Sequence, residues 1–364
     1  MIFMKVALIR KSPFGTLTGH DSALLRLARL FKSECGASVI AFSLGNAASV
    51  SYSSGFEEHI LNKGRGQILK ELERLKPEVV IVFDRELAGV AKSYNNISKG
   101  KANIVILTDS PDVIYNFALR IDSMKIPKLL KPIAKRLYLM RQAMIYKKMI
   151  DAATHIILPT EEDKARLAEL IPDAESRSYV MQLLPVDKPK EIRTIKEIRN
   201  ILFVGACDYP PNAEAIRIIE EVIAPSLPNK TFYVIGKGCT PRTHGNFSCL
   251  GEVSEKELQR RLFDADLCIA PLLHGTGFKK KTLDYLLYGK PVIGTHVAFQ
   301  GFAVRDGLNA LVEDNPNEFA KRIEELESNP KLIAKIQKNI PTILREFSDY
   351  KIKARFRKFC KSLA

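Results

Sequence analysis

The stretch 270–302 carries the residues of this chain whose types and spacing best suit the binding of an anion. A short apolar strand is expected to end at Pro271, and two glycines that bracket a threonine follow it, then three consecutive lysines. Glycines allow the backbone to approach a ligand closely. A helix that begins at the lysines would present unpaired N–H groups and a partial positive charge, which suit a phosphate. The residues concerned are Gly275, Thr276, Gly277, Lys279, Lys280 and Lys281.

Asp284 adds a carboxylate one turn beyond this predicted anion site. It lies three residues after Lys281 and four after Lys280, so the three side chains share one face of the predicted helix. A carboxylate there could accept hydrogen bonds from sugar hydroxyls, and the combination predicts a site for a nucleoside diphosphate linked to ribose. The same residues are also typical of a surface loop with solvated lysines, and the pattern alone leaves both interpretations open.

The sequence of residues 275–295, GTGFKKKTLDYLLYGKPVIGT, resembles the donor-binding segment of retaining glycosyltransferases of family 4 with the GT-B fold. Three further segments are similar to the same family and occur in the expected order. Residues 201–216 resemble the first strand of its donor domain, 232–238 the next strand, and 249–258 the loop that caps the nucleotide base. The resemblance implies that the nucleotide sugar is bound at Gly205, Asn212, Gly236, Val253, Gly275, Thr276, Gly277 and Asp284.

Two departures from the family pattern concern its acidic pair. Thr276 stands where many members have the first glutamate, although the branch with a small residue between two glycines shares that loss. Asp284 replaces the second glutamate and is shorter by one methylene. A non-catalytic or weakly catalytic binding subunit therefore stays an alternative to an active enzyme, and a nucleotide-sugar epimerase on the same fold is a third interpretation.

The N-terminal half offers weaker candidates. Gly15 and Gly19 follow the first predicted strand and resemble the family's glycine loop at the donor diphosphate, although a plain turn between strand and helix fits equally. Asp109 and Asp112 follow another predicted strand and would flank the anomeric carbon or bind acceptor hydroxyls. Aspartates beside a proline are also common in helix caps, so a structural role stays open.

Length and composition favour two globular domains. The chain has 364 residues, of which 46% are hydrophobic and 27% charged. Short apolar strands alternate with helical segments, which predicts parallel sheets covered by helices on both faces. We therefore expect an α/β fold of two Rossmann-like, doubly wound parallel-sheet domains facing across a cleft. The predicted parts are 1–187 (acceptor domain), 188–199 (linker), 200–340 (donor domain) and 341–364 (a basic helix that would pack back on the first domain).

The secondary-structure pattern is specific enough to place individual elements. Strands are expected at 5–9, 38–42, 79–83, 104–107, 155–158, 201–204, 231–235, 267–270 and 291–293. Helices are expected at 22–31, 66–75, 132–149, 161–170, 213–223, 254–264 and 279–288. The six cysteines show no paired spacing and are expected to be reduced, and no pair of ligands recurs at a spacing typical of zinc sites.

The net charge of +15 is concentrated in two segments. Residues 123–150 contain eight basic and no acidic residues among many apolar ones, and residues 351–364 add six basic residues and no acid. Such segments are typical of interfacial helices on an anionic membrane, and also of amphipathic helices with a solvated basic face. Nucleic acid is an unlikely partner because no binding module is recognisable. No window is long and apolar enough to span a membrane, so we expect a cytoplasmic protein, peripheral on the inner face of the cell membrane.

The resemblance and the residues together predict a glycosyltransferase of the hexosyltransferase type. It would move a sugar from a nucleotide sugar to a hydroxyl of a glycan or lipid-linked acceptor, with retention and without a metal or other cofactor. Catalytic roles are expected for Lys279 and Lys281 at the departing diphosphate, and for Asp109 and Asp112 at the acceptor side. The sugar, the base and the acceptor are not determined by the sequence.

Overall fold

The computed structural model describes residues 4–11, 19–45, 49–51, 57–62, 64–108, 127–183, 189, 191–275 and 277–363. The chain divides into two compact units, one of Met1–Pro185 with Asp349–Ala364 and one of Val186–Ser348. Each unit contains a mostly parallel sheet with helices against it, which confirms the predicted two-domain α/β fold.

Among its described residues, the first unit contains an eight-stranded sheet of order β3-β4-β2-β1-β5-β6-β7-β8, in which β3 and β4 pair antiparallel and the other neighbours pair parallel. Its strands are Lys5–Arg10 (β1), Ser38–Leu44 (β2), Ser49–Ser51 (β3), Glu57–Leu61 (β4), Val79–Val82 (β5), Asn103–Leu107 (β6), His155–Leu158 (β7) and Ser178–Val180 (β8). Its helices are Gly19–Cys35 (α1), Arg65–Leu75 (α2), Ala88–Ile97 (α3), Lys131–Asp151 (α4), Glu161–Leu170 (α5) and the last helix of the chain, Asp349–Lys361 (α11).

Both faces of this first sheet are buried, because successive side chains of its central strands alternate between two helix layers. Val6 and Leu8 of β1 pack in a cluster with α1 and α11, whereas Ala7 and Ile9 pack with α2, α3 and α4. The last helix is fixed to α1 by aromatic contacts, with the rings of Phe31 and Phe356 5.0 Å apart in an edge-to-face arrangement.

In the part of the second unit that the structure describes, a seven-stranded sheet has the order β11-β12-β10-β9-β13-β14-β15, with β11 and β12 antiparallel and the other neighbours parallel. Its strands are Asn200–Val204 (β9), Thr231–Ile235 (β10), Arg242–His244 (β11), Phe247–Gly251 (β12), Leu267–Ala270 (β13), Val292–Gly294 (β14) and Leu311–Val312 (β15). Its helices are Pro210–Ile218 (α6), Glu255–Asp264 (α7), Lys280–Leu287 (α8), Phe319–Glu327 (α9) and Pro330–Leu344 (α10).

The segment before β9 is packed onto the second unit. Ile195 and Ile198 are buried in its core, and the side chain of Gln337 on α10 bonds this segment twice. Its oxygen accepts from the Ile195 N–H at 2.9 Å and its nitrogen donates to the Arg193 carbonyl at 3.1 Å. Among the described residues no helix is long and apolar enough to cross a membrane.

The expectation that all cysteines are reduced is wrong for one pair. Cys207 and Cys239 form a disulfide across 32 residues of sequence. Cys207 follows β9 and Cys239 follows β10, and these strands are adjacent and parallel. Parallel neighbours end at the same edge of a sheet, so residues far apart in sequence meet there.

Candidate functional site

The candidate site lies in the second unit, at the edge of the sheet where β9, β10 and β13 end. Ligands of open parallel sheets bind at this edge. Gly205 directly follows β9 and Gly236 directly follows β10, and the Gly205 N–H donates to the carbonyl of Ile235 at 2.8 Å. A Cβ on Gly236 would lie 1.9 Å from the Gly205 oxygen. The two strand ends therefore approach more closely than any other residue type at position 236 would allow.

Asn212 and Lys281 come together beside Gly205. The Asn212 side chain donates to the Ala206 carbonyl at 3.0 Å, and its oxygen accepts a hydrogen bond from the Lys281 Nζ. The Lys281 ammonium also lies 4.2 Å from the centre of the Phe203 ring, a favourable cation–π distance. A Cβ on Gly205 would be 2.8 Å from both side chains. The structure thus brings three predicted site residues into one cluster.

Helix α8 is fixed so that Lys281 stands at its first turn. The Tyr285 hydroxyl is fully buried and accepts a hydrogen bond from the Val204 N–H at 2.7 Å. Thr282, also fully buried, donates to the Ala298 carbonyl at 2.9 Å. These two bonds attach one side of α8 to the end of β9 and to the segment after β14. The start of the helix is therefore held by buried contacts on two sides.

The Lys281 ammonium is held in an environment that disfavours its charge. Burial is the largest cause, and the nearby charge of Lys279 adds to it; together they lower the pKa of Lys281 from 10.5 to about 7. Lys281 as a whole residue is half-buried, but its ammonium is enclosed by the ring, amide and glycine named above. A phosphate at this point would favour the charged amine, so the cluster is suited to an anion.

Lys279 has different surroundings from Lys281. It is only 8% exposed and precedes the first residue of α8, and its Nζ donates to the Gly277 carbonyl at 2.7 Å and to Gln300 Oε1 at 3.1 Å. Gly275 and Gly277 have φ of +127° and +73°, a region that favours glycine. A Cβ on Gly275 would face Pro211 and the Tyr209 hydroxyl at the start of α6. The glycine loop therefore lies against the same helix start that carries Asn212.

Asp284 lies on α8 beyond this cluster, and Val253 lies beyond the end of β12. The Lys280 Nζ donates to both oxygens of the Asp284 carboxylate, at 2.8 and 2.7 Å. Val253 is partly buried against the core of the unit, just before α7. Their assignment to the ribose and the base remains a prediction.

Other predicted site residues fall outside the described part of the chain or at its margin. Gly15, Asp109, Asp112 and Thr276 are not among the described residues. Gly19 is the first residue of α1. Within the described ranges, no group of three or more His, Cys, Asp and Glu residues that could hold a metal ion is found.

Two features of the site were not predicted from the sequence. The Nε2 atom of His274, next to the glycine loop, lies 3.1 Å from the Glu214 carboxylate on α6, and its Nδ1 is buried with no hydrogen-bond partner among the described residues. The disulfide of Cys207 and Cys239 closes the same edge, joining the loops that follow Gly205 and Gly236. Both contacts join residues that are distant in sequence, so the spacing of residues along the chain could not predict them.

Residues 198–329 match the protein family described as glycosyl transferases group 1, a match that covers the whole candidate site. A comparison with curated protein sequences finds no match.

Solved structures with the GT-B fold resemble the chain over nearly its whole length. Anabaena HepE in complex with UDP-glucose is 12% identical with a TM-score of 0.68, over 99% of this chain and 100% of that chain. Sucrose-phosphate synthase from Thermosynechococcus elongatus is 14% identical with a TM-score of 0.70, over 99% of each chain. The lipopolysaccharide outer core galactosyltransferase WaaB, in its apo form, is 14% identical with a TM-score of 0.63, over 99% of this chain and 100% of that chain. At these identities the likeness shows the fold.

Proposed function

We propose that this protein is a glycosyltransferase that moves a hexose from a nucleotide sugar to a hydroxyl of a glycan or lipid-linked acceptor. The observation that carries the proposal is the cluster of Gly205, Asn212 and Lys281. Among the described residues no acidic side chain pairs with this desolvated lysine, which has a lowered pKa and lies where parallel strands end; a diphosphate would supply the missing negative charge. The group 1 family match over the same residues supports this interpretation, as do the structural neighbours that hold UDP-glucose or UDP.

The proposed reaction depends on charge that develops on the departing nucleoside diphosphate. Lys281 would stabilise that charge directly by preorganised electrostatics. Lys279 would contribute through its charge and by holding the Gly277 carbonyl. With these two amines and the helix start at the diphosphate, the reaction would proceed without a metal ion. Retention at the anomeric carbon is proposed from the resemblance of residues 275–295 to retaining enzymes.

The remaining roles follow from position along the chain. Gly205 and Gly236 would admit the diphosphate close to the backbone. Asp284, which bonds Lys280, would accept the ribose hydroxyls, and the segment at Val253 would contact the base. Asp109 and Asp112 are proposed for the acceptor side.

A thermal-denaturation screen tests the proposal first. UDP, GDP, ADP and their sugars are each added with and without EDTA, because a ligand that binds the folded state raises the melting temperature by mass action. We expect one nucleoside diphosphate to stabilise the protein equally in both conditions. Lys281→Ala should lose that shift, whereas Lys338→Ala, which removes an exposed lysine of α10, should retain it. Absence of stabilisation by every nucleotide would exclude a donor site.

The product of turnover then separates the remaining interpretations. Transfer to an acceptor that retains the anomeric configuration, measured by NMR, is the expected result. Conversion of the nucleotide sugar without an acceptor would identify an epimerase. A binding subunit is favoured by Thr276 and Asp284 at the positions of the usual glutamates, and nucleotide binding without turnover on any acceptor would establish that role.

A further inference from the structure

Helix α4 of the first unit has a stripe of large apolar side chains on its exposed face. Ile133, Leu137, Met140 and Met144 are 55–63% exposed. Their spacing of four, three and four residues places them along one line on a helix with 3.6 residues per turn. Single exposed apolar residues are common on protein surfaces, but an aligned row of them indicates a surface that binds something.

The stripe continues beyond the N-terminal end of α4. Leu129 is 90% exposed and Leu130 51% exposed, in the short turn Lys128–Leu130 that leads into the helix. The opposite face of α4 is anchored, since Tyr146, Met149 and Ile150 are buried in the core of the first unit. The stripe is therefore a second apolar face, directed away from the sheet.

Basic residues border the stripe on both sides. At 100° per residue, Arg136 and Arg141 lie about 70° to either side of its centre, and both are exposed. Lys148 flanks its C-terminal end and is also exposed. Lys147, on the other side, is exposed but its Nζ lies 3.8 Å from the carboxylate of Asp151, the last residue of the helix. No acidic residue occurs between positions 123 and 150. From Leu129 to Met144 the surface thus combines apolar side chains with positive charge, and the one acidic residue of α4, Asp151, follows at its C-terminal end.

The basic residues beside the stripe favour an anionic lipid surface over a second copy of the helix as its partner. A second copy of this helix would fit the three-four spacing of a coiled-coil seam, but it would place Arg136 and Arg141 against the same positive charges. An anionic lipid surface offers hydrocarbon for the stripe and negative headgroups for its borders. Long Leu, Ile and Met side chains with flanking arginines are typical of helices that lie in the membrane interface.

We propose that helix α4 is a membrane-docking surface for anionic lipid bilayers, with residues 129–144 as the inserted stripe. The proposal concerns the first unit alone and stands independently of the glycosyltransferase function. It excludes α11 as an inserting helix, although that helix is equally basic, because its apolar residues Ile352, Phe356 and Phe359 are buried. It also excludes Lys131 and Lys135 as principal contacts, since both are partly buried.

The test is co-sedimentation of the full chain with vesicles of phosphatidylcholine, with or without phosphatidylglycerol. We expect binding to the anionic vesicles at low salt, release at high salt as the Debye length shrinks, and weak binding to pure phosphatidylcholine. The double variant Arg136→Gln, Arg141→Gln should partition roughly 30-fold more weakly, because each basic residue near an anionic surface contributes about fivefold. The matched control Lys335→Gln, Lys338→Gln removes two exposed charges from the second unit and should bind as the native protein does.

A second pair of variants tests insertion of the stripe. Leu137→Gln, Met140→Gln should weaken binding to the anionic vesicles at least tenfold, whereas Leu170→Gln, at a 47% exposed position of α5, should not. All variants change exposed residues, and unchanged melting temperatures would verify that they fold. Equal vesicle binding by the stripe variant and its control would overturn the proposal. It would also be overturned if the native protein were a dimer that Leu137→Gln, Met140→Gln dissociates, without binding vesicles.

Discussion

Replacing Lys281 by methionine should make the ligand-free protein more stable and its nucleotide binding weaker. Burial and the charge of Lys279 lower the pKa of Lys281 from 10.5 to about 7. For a fully enclosed amine this difference would correspond to about 4 kcal/mol of destabilisation at pH 7, at about 1.36 kcal/mol per pKa unit. Because Lys281 is half-buried and solvent screens part of its charge, we expect the variant to gain only about 1–2 kcal/mol in free energy of unfolding.

The loss in binding should be larger than the gain in stability. A hydrogen bond to a charged group contributes about 1.5–3 kcal/mol, so the Kd for the nucleoside diphosphate should rise about 10-fold to 150-fold. Urea denaturation measures the first quantity and titration calorimetry the second. Lys338→Met should change neither. A variant that is less stable than the native protein and binds the nucleotide equally well would refute the assignment of Lys281 to the diphosphate.

The lowered pKa of Lys281 predicts that a rise in pH has opposite effects on stability and on nucleotide affinity: stability increases and affinity decreases. The unfolded chain holds the Lys281 proton more tightly than the fold does, so the ligand-free protein should become more stable as pH rises from about 7 towards 10.5. A diphosphate favours the ammonium, so binding takes up a proton, and Kd should rise by up to about tenfold per pH unit above pH 7. Lys281→Arg stays charged and should remove this dependence. A Kd that is flat above pH 7 in the native protein would contradict the lowered pKa.

Three further predictions concern the surroundings of Lys281. Gly236→Ala should lower the free energy of unfolding by about 2–3 kcal/mol in urea denaturation, because its Cβ would meet a backbone oxygen at 1.9 Å; Gly89→Ala, in a helix with open space around it, should be neutral or stabilising. Reduction of the Cys207–Cys239 disulfide should cost about 3–4 kcal/mol, given a loop of 32 residues, and unchanged unfolding with and without reductant would show that the bond does not form. His274→Ala should weaken nucleotide-sugar binding about fivefold, the effect of one neutral hydrogen bond, and an unchanged isotherm would remove His274 from the site.

Much of the fold follows from local pattern. The strands His155–Leu158, Thr231–Ile235 and Leu267–Ala270 and the helix Glu161–Leu170 have the bounds that their apolar runs and polar borders predict. The strand Phe247–Gly251 was not predicted, because three of its five residues are small or polar and its stability comes from pairing with β10 and β11.

The candidate site was predictable as a segment but not as a geometry. The glycines at 275 and 277 and the lysines after them mark an anion-binding loop in the sequence, and both glycines have positive φ. The spacing of the lysines does not predict that they have different contacts. Lys279 bonds the Gly277 carbonyl and Gln300, whereas Lys281 lies beside Gly205. That difference depends on which side of the helix start meets the end of β9.

The two basic segments show most clearly what charge patterning leaves undetermined. Both combine lysines and arginines with apolar residues at helical spacing, and the sequence assigns them the same surface role. In α11 the row of Ile352, Phe356 and Phe359 meets the aromatic side of α1, including Phe31, and its burial leaves mostly charged positions to solvent. In α4 the corresponding row lies opposite the face that the core already occupies. Composition therefore predicts where an interfacial helix could form. Whether the apolar row of α4 or of α11 is available to a membrane depends on whether that row is buried against the rest of the protein.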